Sequence, residues 1–476
     1  MVILLAAVSG CTVGPDYTTP DFQTPDYAGA LEEKSGTTGA ITPEILASWW
    51  DTLGDPILTD LIEKAAQSNL DLKVARARVR QSRAQLGIAE SALLPQFDAS
   101  GLYSRARDSK SSAFMPESTT DFNVYRAGLD AGWEIDIFGG TRRAVEAAKA
   151  ELESQDESLK SVLVSLASEV ALDYIELRTV QERMNVANGN LKIQKQTLDL
   201  LESRFNSGLC DELAIQQARY NLETTRSMIP RLISAEEAVI NALEVLLGSM
   251  PGELHKMLQA GKPIPVPSFQ NVTGIPANAL RQRPDVRIAE RQLAAQTARI
   301  GQATADLYPK FSLVGSIGLE SLNSGDFMKA DSGFYSIGPS MTWPIFHGGA
   351  IRQNIKAQTA LQEQYLARYE KVVLSAVKEV RDALVAYAQE QLSCKSLRKA
   401  VKASQEAVDI SMDKYKNGLV DFNNVLVAQR SMLTLQESLA ISEGEIAGNL
   451  VRVYKALGGG WQPMAAEYPP ANKQTK

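Results

Sequence analysis

The chain is built from one unit used twice, and this duplication limits its possible folds more than any other feature. Residues 69–97 (NLDLKVARARVRQSRAQLGIAESALLPQF) align without a gap to residues 283–311 (RPDVRIAERQLAAQTARIGQATADLYPKF). Further on, Gly208 and Gly418 are each followed by Leu at matching places in the two halves. A repeat of this kind predicts two copies of one structural unit.

A very long helix is expected before each of these two glycines. The stretch 352–417 contains no Gly and no Pro, and 141–207 contains only Gly189 as a weak point. Apolar residues recur every three or four positions in both, which is typical of a coiled-coil seam. We expect Gly208 and Gly418 to end these helices in the left-handed conformation and to start antiparallel return helices.

The return helices are shorter than the helices they follow. Each is therefore expected to be stacked end to end with another helix, and the helices 69–94 and 284–307 are the candidates.

Near the start of each unit the spacing of apolar residues changes from a helical period to a period of two, which is typical of a strand. Within 122–137 one face is apolar, from Tyr125 to Ile137, and the other is polar or small; 311–345 repeats the pattern.

Membrane barrel strands need ~9–11 residues of such alternation. Trp133 and Trp343 suit an aromatic belt, whereas Pro339 suggests an edge strand or a bulge. Taken alone, each hairpin fits a hairpin packed by one face on a protein core better than a barrel. Two equivalent hairpins behind a lipoprotein-like start favour the barrel. Because four strands cannot close a barrel, several chains would have to share one.

The N-terminus resembles a bacterial lipoprotein signal. The run MVILLAAVSGC is apolar and ends in small residues before Cys11, the residue that would be lipidated. It lacks a basic segment, so the start is expected to be internal to a longer signal. Thr12, rather than Asp, follows Cys11 and permits export to the outer membrane. A chance apolar start with a buried Cys11 is the alternative.

Composition excludes several other classes of protein. The net charge of −7 does not suggest a nucleic-acid partner. Two His and three Cys leave little material for a metal site or a disulfide framework, and neither a cofactor nor a metal is expected. Cys210 and Cys394 are expected to lie too far apart to pair. No apolar run reaches the ~18–20 residues of a membrane-spanning helix.

These features divide the chain into six segments. A signal remnant (1–10) is followed by a lipid-anchored tether (11–65), and a Pro-rich connector (249–280) separates the two repeats. The first repeat (66–248) contains a hairpin at 96–137 and helices 141–207 and 211–247. The second repeat (281–458) contains a hairpin at 310–346 and helices 352–417 and 422–457. A C-terminal tail without a regular pattern covers 459–476.

The chain as a whole resembles the TolC-like outer membrane factor family, in particular its NodT-type lipoprotein branch, which serves resistance-nodulation-division (RND) efflux pumps. The ordered set of matching motifs spans nearly the whole chain. They are CTVGPDY from Cys11, Trp49-Trp50, Asp55-Pro56, NLDL from Asn69, RPDV from Arg283, LYP from Leu307, both glycine turns and ALGGGW from Ala456.

The resemblance implies an α+β membrane channel with an internal two-fold repeat. Three chains of four strands would form a 12-stranded β-barrel in outer membrane lipid, continued by an antiparallel coiled-coil α-helical tunnel through the periplasm. The tether with its equatorial segment (11–65), the connector (249–280) and the C-terminal tail (459–476) would form an equatorial belt around the tunnel. The glycine turns would form the periplasmic tip, where a periplasmic adaptor protein docks and connects the homotrimer to an inner-membrane RND pump.

The expected gate departs from the family pattern. The family often has acidic residues six and nine positions after the second turn glycine, where this chain has Asn424 and Val427, and Asn423 replaces a common Leu. Ala214 stands where Asp is frequent in the first repeat. Asp211 and Glu212 offer other charge, although they and Asp413 and Asp421 also fit ordinary solvated turn residues. Three expected gate residues are kept: Tyr415, Arg219 and Arg430.

The function implied is a passive export duct for small molecules or drugs. An enzyme is disfavoured, because there is no nucleophile elbow, phosphate-binding loop or paired metal-ligand motif, and His255 and His347 fit structural roles. A lipid-anchored structural coiled coil, and a channel for type I protein secretion or metal-ion efflux, are the alternatives.

Overall fold

The computed structural model describes residues 12–20, 43–107, 121–265 and 277–463. Cys11 and the signal remnant lie outside these residues. The chain divides into two units, described separately below. Unit 1 comprises Met1–Asp21, Arg78–Gln155 and Ile288–Glu370, and unit 2 comprises Phe22–Ala77, Asp156–Arg287 and Lys371–Lys476.

Unit 1 contains one antiparallel sheet to which each repeat contributes a hairpin. The four strands neighbour one another in chain order, so the two hairpins join through the second and third strands. Alternation of apolar and polar residues produces these strands, as expected from the period of two. They are β1 Gln96–Ala106, β2 Phe122–Ile135, β3 Lys310–Ser321 and β4 Gly333–Thr342.

The register places most of the apolar residues of the four strands on one face. Leu129 of β2 pairs with Ile317 of β3, which in turn pairs with Tyr335 of β4. These side chains are 55%, 62% and 82% exposed, so no other part of the described chain covers this apolar face. Pro339 lies in β4, an edge strand of this sheet, as its missing N–H predicts.

The helices follow the expected pattern, including two of 67 residues. The longest helix of the first repeat continues through Gly189. No helix in the described parts of the chain combines the length and apolarity needed to cross a membrane. The helices are α1 Pro43–Ala47, α2 Pro56–Ser68, α3 Leu70–Ser91, α4 Gly140–Asn206, α5 Glu212–Arg226, α6 Met228–Leu246, α7 His255–Leu258, α8 Ala277–Gln282, α9 Pro284–Ala305, α10 Ala350–Lys416 and α11 Phe422–Ala456.

One predicted helix is wrong: the return helix over 211–247 is two helices, α5 and α6, separated at Ser227. The break lies three residues before Pro230. Proline has no N–H for the helical hydrogen bond, and its ring crowds the carbonyl four residues earlier, which belongs to Arg226. The return helix of the second repeat, α11, runs unbroken for 35 residues.

Two predicted boundaries also differ from the structure. The division between tether and first repeat, at 65/66, falls inside α2. The connector 249–280, expected to be irregular, contains the short α7 and the start of α8. The Glu244 carboxylate holds this connector by accepting hydrogen bonds from the backbone N–H groups of Gly252 and Leu254, at 2.9 and 2.7 Å.

The core of unit 2 explains the Trp49-Trp50 and Asp55-Pro56 motifs of the sequence. Trp49 is fully buried and stacks on Tyr454 of α11, with ring centroids 5.5 Å apart. Asp55 caps α2 by accepting from the Ile57 N–H at 2.9 Å, and its other oxygen accepts from the Tyr174 hydroxyl of α4. Burial of such large aromatic side chains dominates the stability of a helical core.

The return helices are stacked end to end with other helices, as expected. In the first repeat, Asn69 Nδ2 donates to the Leu246 carbonyl at 2.8 Å, which joins the end of α6 to the start of α3. In the second repeat, Arg283 Nη1 donates to the Ala456 carbonyl at 2.5 Å, which joins α11 to α9. The two joints occupy matching positions of the repeat.

In unit 1 the N-terminal segment 12–20 has no helix or strand and packs against the start of α4. The Val13 N–H donates to the Phe138 carbonyl at 3.1 Å. Arg143, only 3% exposed, donates to the Val13 carbonyl at 3.2 Å and to the Asp16 carboxylate at 2.6 Å. A buried guanidinium therefore holds the segment that follows Cys11.

Candidate functional site

Both glycine turns have the same geometry. Gly208 and Gly418 have φ of 71° and 69°, in the left-handed region where glycine carries no steric cost. In each turn the residue after glycine donates its N–H back to the last helical turn: Leu209 to the Arg204 carbonyl at 2.8 Å, and Leu419 to the Lys414 carbonyl at 2.9 Å. These bonds, with those of the glycine N–H groups, make a Schellman motif in each repeat.

The two turns are held together by one small hydrophobic cluster, which we name the turn cluster. It joins the end of α4 and the start of α5 to the end of α10 and the start of α11. Burying these side chains gives the two repeats a shared core at their turns. Its buried members are Leu201, Ala214, Ile215, Ala218, Tyr415, Phe422, Val425 and Leu426.

An arginine crosses from the first turn to the second. Arg204 Nη1 donates to the Lys416 carbonyl at 3.1 Å, and its guanidinium carbon lies 5.1 Å from the Tyr415 ring centroid. Burial, followed by the neighbouring Cys210 thiol, raises the pKa of the Tyr415 hydroxyl above its ordinary value. The Tyr415 ring meets Phe422 edge to face, with centroids 5.6 Å apart. Tyr415 therefore belongs to the packed core of the turns.

The three expected gate residues at the first turn, Asp211, Glu212 and Ala214, lie in different environments. Asp211 caps α5 by accepting from the Ala214 N–H at 3.1 Å, so it has a structural role beyond that of a solvated turn residue. Ala214 is buried, whereas Glu212 is exposed. Asp421, at the matching position of the second repeat, makes no side-chain cap.

The two expected arginines pair within the described residues. Arg219 lies 3.5 Å from the Glu202 carboxylate. Arg430 of α11 donates to Asn221 of α5 at 3.3 Å and lies 4.8 Å from the Tyr220 ring centroid. Arg204 of the first repeat and Arg430 of the second thus each contact the other repeat. Arg204 was not among the expected gate residues, although its position four residues before Gly208 marks it as part of the turn.

The neutral gate candidates are exposed in the chain. Asn423 and Val427 are exposed, and Asn424 is exposed with its amide donating to the Asp421 carbonyl at 3.4 Å. The structure thus brings Ala214 and Tyr415 into the turn cluster and leaves Asn423, Asn424 and Val427 on its surface.

A buried polar layer adjoins the turn cluster and was not expected from the sequence. Asn190 of α4 donates to Gln436 of α11 at 2.7 Å, and Gln429 of α11 donates to Thr197 of α4 at 3.0 Å. Both pairs cross from the first repeat to the second. Buried hydrogen bonds of this kind fix the register between helices.

The sheet of unit 1 has aromatic side chains near both ends of its apolar face. Trp133 and Trp343 take matching roles: their indole N–H groups donate to the carbonyls of Leu93 at 2.9 Å and Leu307 at 3.1 Å. A second group, Tyr103, Tyr125 and Phe327, lies toward the other end, with ring centroids 5.0 and 6.4 Å apart. Eight residues separate Tyr125 from Trp133, or ~26 Å of strand, against an apolar band of ~25 Å in membrane barrels.

The opposite face of the sheet is polar. Asp98 of β1 lies opposite Asp130 of β2, and Ser100 donates to the Asp130 carboxylate at 2.7 Å. In the described parts of the chain no group of His, Cys, Asp or Glu side chains could hold a metal ion. Cys210 and Cys394 are both free thiols.

Comparisons with known proteins agree with this architecture. The sequence profile described as "Outer membrane efflux protein" matches residues 61–249 and matches again over 275–459. Nodulation protein T of Rhizobium leguminosarum bv. trifolii is 30% identical over 96% of both chains. The toluene efflux pump outer membrane protein TtgF of Pseudomonas putida is 29% identical over 98% of both. The solved structure of the outer-membrane channel OprN has a TM-score of 0.88 at 33% identity and covers 95% of this chain.

The expected fold and partners are therefore confirmed. The protein is an outer membrane efflux channel, in which three chains close a 12-stranded barrel continued by a helical periplasmic tunnel. It works with a periplasmic adaptor and an inner-membrane pump. A duplicated match to the family profile, full-length relatives and a shared fold lead to one conclusion: this chain belongs to the outer membrane efflux protein family.

Proposed function

We propose that the protein is a passive export duct for small molecules, without catalytic activity, and that the turn cluster forms its periplasmic gate. The observation that carries this proposal is the contact between the two repeats at their glycine turns. Arg204 and Arg430 cross between the repeats beside the eight buried side chains of this core. Adaptor docking would shift the balance between a closed and an open packing of this cluster.

Single-channel recording tests the gate. Arg204→Gln and Arg430→Gln remove crossing contacts, and we expect each to raise the conductance of the purified protein in planar bilayers. Arg226→Gln is the matched control, because Arg226 is an exposed arginine whose ion pair with Glu223 stays within the first repeat. Equal conductance in all three variants and the unaltered protein would contradict a gate at the turn cluster.

We further propose that the gate carries no fixed negative charge at Asn424. Its side chain is neutral and exposed where the family is often acidic. Asn424→Asp would place three carboxylates in the trimeric mouth, so we expect the cation-to-anion permeability ratio to rise about twofold. Asn417→Asp adds the same charge at an exposed turn position and is expected to change the ratio less. An unchanged cation preference in Asn424→Asp would count against the idea.

We also propose that Cys11 carries the lipid anchor. The small residues before it and the docking of the residues after it support this assignment. Cells expressing the protein behind a lipoprotein signal peptide, grown with radioactive palmitate, should label the unaltered chain and not Cys11→Ser. Cys210→Ser serves as the control and should retain the label. Labelling of Cys11→Ser would overturn the proposal.

Small organic molecules are the proposed cargo. A full-length relative is named for toluene efflux, and the passive duct leaves the choice of molecule to the pump. In a strain lacking its own channel but retaining the matching adaptor and pump, the protein should restore tolerance to toluene. Restored tolerance to copper or silver salts alone would instead favour metal-ion efflux.

A further inference from the structure

An aromatic ring lies on the polar face of the sheet, where most side chains are polar or small. Phe334 of β4 shares a row with Gly318 of β3, Gly128 of β2 and Ser100 of β1. Its neighbours along β4 on the same face are Ser336 and Gly338. Since the apolar face of a barrel meets lipid, this polar face lines the lumen.

Two glycines allow the ring to lie against the backbone. A Cβ atom added to Gly318 would sit 3.0 Å from Phe334 Cε1 and 2.3 Å from the Ala127 carbonyl oxygen. A Cβ atom at Gly128 would sit 3.5 Å from Phe334 Cζ. The Phe334 ring therefore reaches across β3 to β2 over a floor without side chains.

A planar cation completes this arrangement. The guanidinium carbon of Arg126 lies 4.6 Å from the Phe334 ring centroid. Arg126 Nη1 lies 3.5 Å from the Glu320 carboxylate, and the two side chains remain 39% and 50% exposed. The ion pair leaves the patch with no net charge, and the half-buried Phe334 ring lies beneath the guanidinium, whose exposed outer plane offers a surface on which flat molecules stack.

We propose that Phe334, Arg126 and Glu320 form a contact site in the barrel wall for planar aromatic molecules on their way out. This inference rests on the proposed function and deepens it by naming a cargo class and its contact. Stacking is the interaction that the patch offers, and it does not depend on the net charge of the molecule. A weak site suits a duct, because cargo must enter and leave quickly, and the trimer carries three copies.

Block of single-channel current tests the site. The probes are 1-naphthylmethylammonium and cyclohexylmethylammonium, which carry the same charge but differ in aromatic surface. Each is added on the side facing the barrel mouth, and block is expressed as a fraction of each variant's own current. We expect the naphthyl probe to block at lower concentration than the cyclohexyl probe. Phe334→Leu should raise its half-blocking concentration about three- to fivefold.

Arg126→Lys keeps the charge and removes the planar guanidinium, so it should weaken block by the naphthyl probe in the same direction. Tyr335→Leu is the matched control, since Tyr335 is the adjacent aromatic on the opposite face. Equal block by both probes, or an unchanged half-blocking concentration in Phe334→Leu, would overturn the proposed site. A protein that conducts no current at all would instead contradict the proposed duct, so the two failures are distinguishable.

Discussion

The return arms of the two repeats match in sequence position but differ in helix continuity and in chemistry. In the first repeat the arm is broken at Ser227 into α5 and α6, whereas in the second it is the single helix α11. Counted from the turn glycines, the position of Pro230 in the first arm is taken by Ala440 in the second. The first arm thus has an interruption near a proline that the second arm lacks.

The stacking joints show the same divergence. Asn69 makes the first joint with neutral amide hydrogen bonds. Arg283 makes the second with a buried guanidinium that contacts the Ala456 carbonyl and the carboxylates of Asp285 and Glu379. The same backbone geometry is therefore held by a neutral contact in one repeat and a charged network in the other.

Giving the second arm the proline of the first should have the largest effect. Ala440→Pro removes a helical hydrogen bond within α11 at a buried position, so we expect a loss of ~3 kcal/mol or more. Thermal unfolding followed by circular dichroism measures it. Pro230→Ala is the reciprocal change and should stay within ~1 kcal/mol of the unaltered protein. Similar losses in both would show that the break does not depend on the proline.

Removing the charged joint should cost more than removing the neutral one. Arg283→Ala leaves two carboxylates and a buried carbonyl without their partner, with an expected loss of ~2–4 kcal/mol. Asn69→Ala should cost ~1–2 kcal/mol. Denaturant unfolding of the two variants ranks the joints. The reverse order would mean that partial exposure of Asp285 and Glu379 already offsets the loss.

The two turns should respond differently to loss of the aspartate that begins each return arm. Asp211→Ala removes the cap of α5 and should cost ~1 kcal/mol. Asp421→Ala removes no side-chain cap and should be close to neutral. Hydrogen exchange at the first turn of α5 and of α11 provides a local measurement. Equal loss of protection in both arms would remove the distinction between them.

The smallest effect is expected at Asp173 of α4, whose counterpart in α10 is Ala383. Burial, followed by repulsion from Glu169 and Glu176, raises the pKa of Asp173 to about 6. A raised carboxyl pKa means that the ionised form destabilises the fold, so the penalty is present above pH 6 and is relieved as the pH falls toward 4. Asp173→Asn should therefore raise the melting temperature slightly at pH 7.5 and change it little at pH 4.5. Asp199→Asn, an exposed change of the same charge on α4, is the control and should show no such dependence on pH.

The repeat, the long helices, the end-to-end stacking and the strand faces could be predicted because each follows from local periodicity or from comparing the chain with itself. The break at Ser227 could also have been found, since Pro230 is visible in the sequence. The sequence did not reveal the partners of Arg143, Arg204 and Tyr174. They depend on which elements meet in three dimensions, and a single sequence carries no signal for such contacts.

Only part of the candidate site could be predicted, because some of its features are local in the sequence and others depend on tertiary packing. The turn glycines were evident, but whether a neighbouring residue is buried or exposed depends on how the two turns pack. Tyr415 illustrates this, because its burial requires Arg204 and Phe422 from other elements. Phe334 was placed on no face, and its role depends on glycines from two other strands.

The docking of Val13 on Phe138 also has a consequence for the depth of the protein in the membrane. Cys11 comes two positions before Val13, and such a step can span ~7 Å at most. Phe138 comes directly after the end of β2 and before α4. A lipid on Cys11 would thus enter the bilayer close to the periplasmic end of strand β2. It would then do more than tether the chain, because it would fix how deeply the strands insert into the membrane.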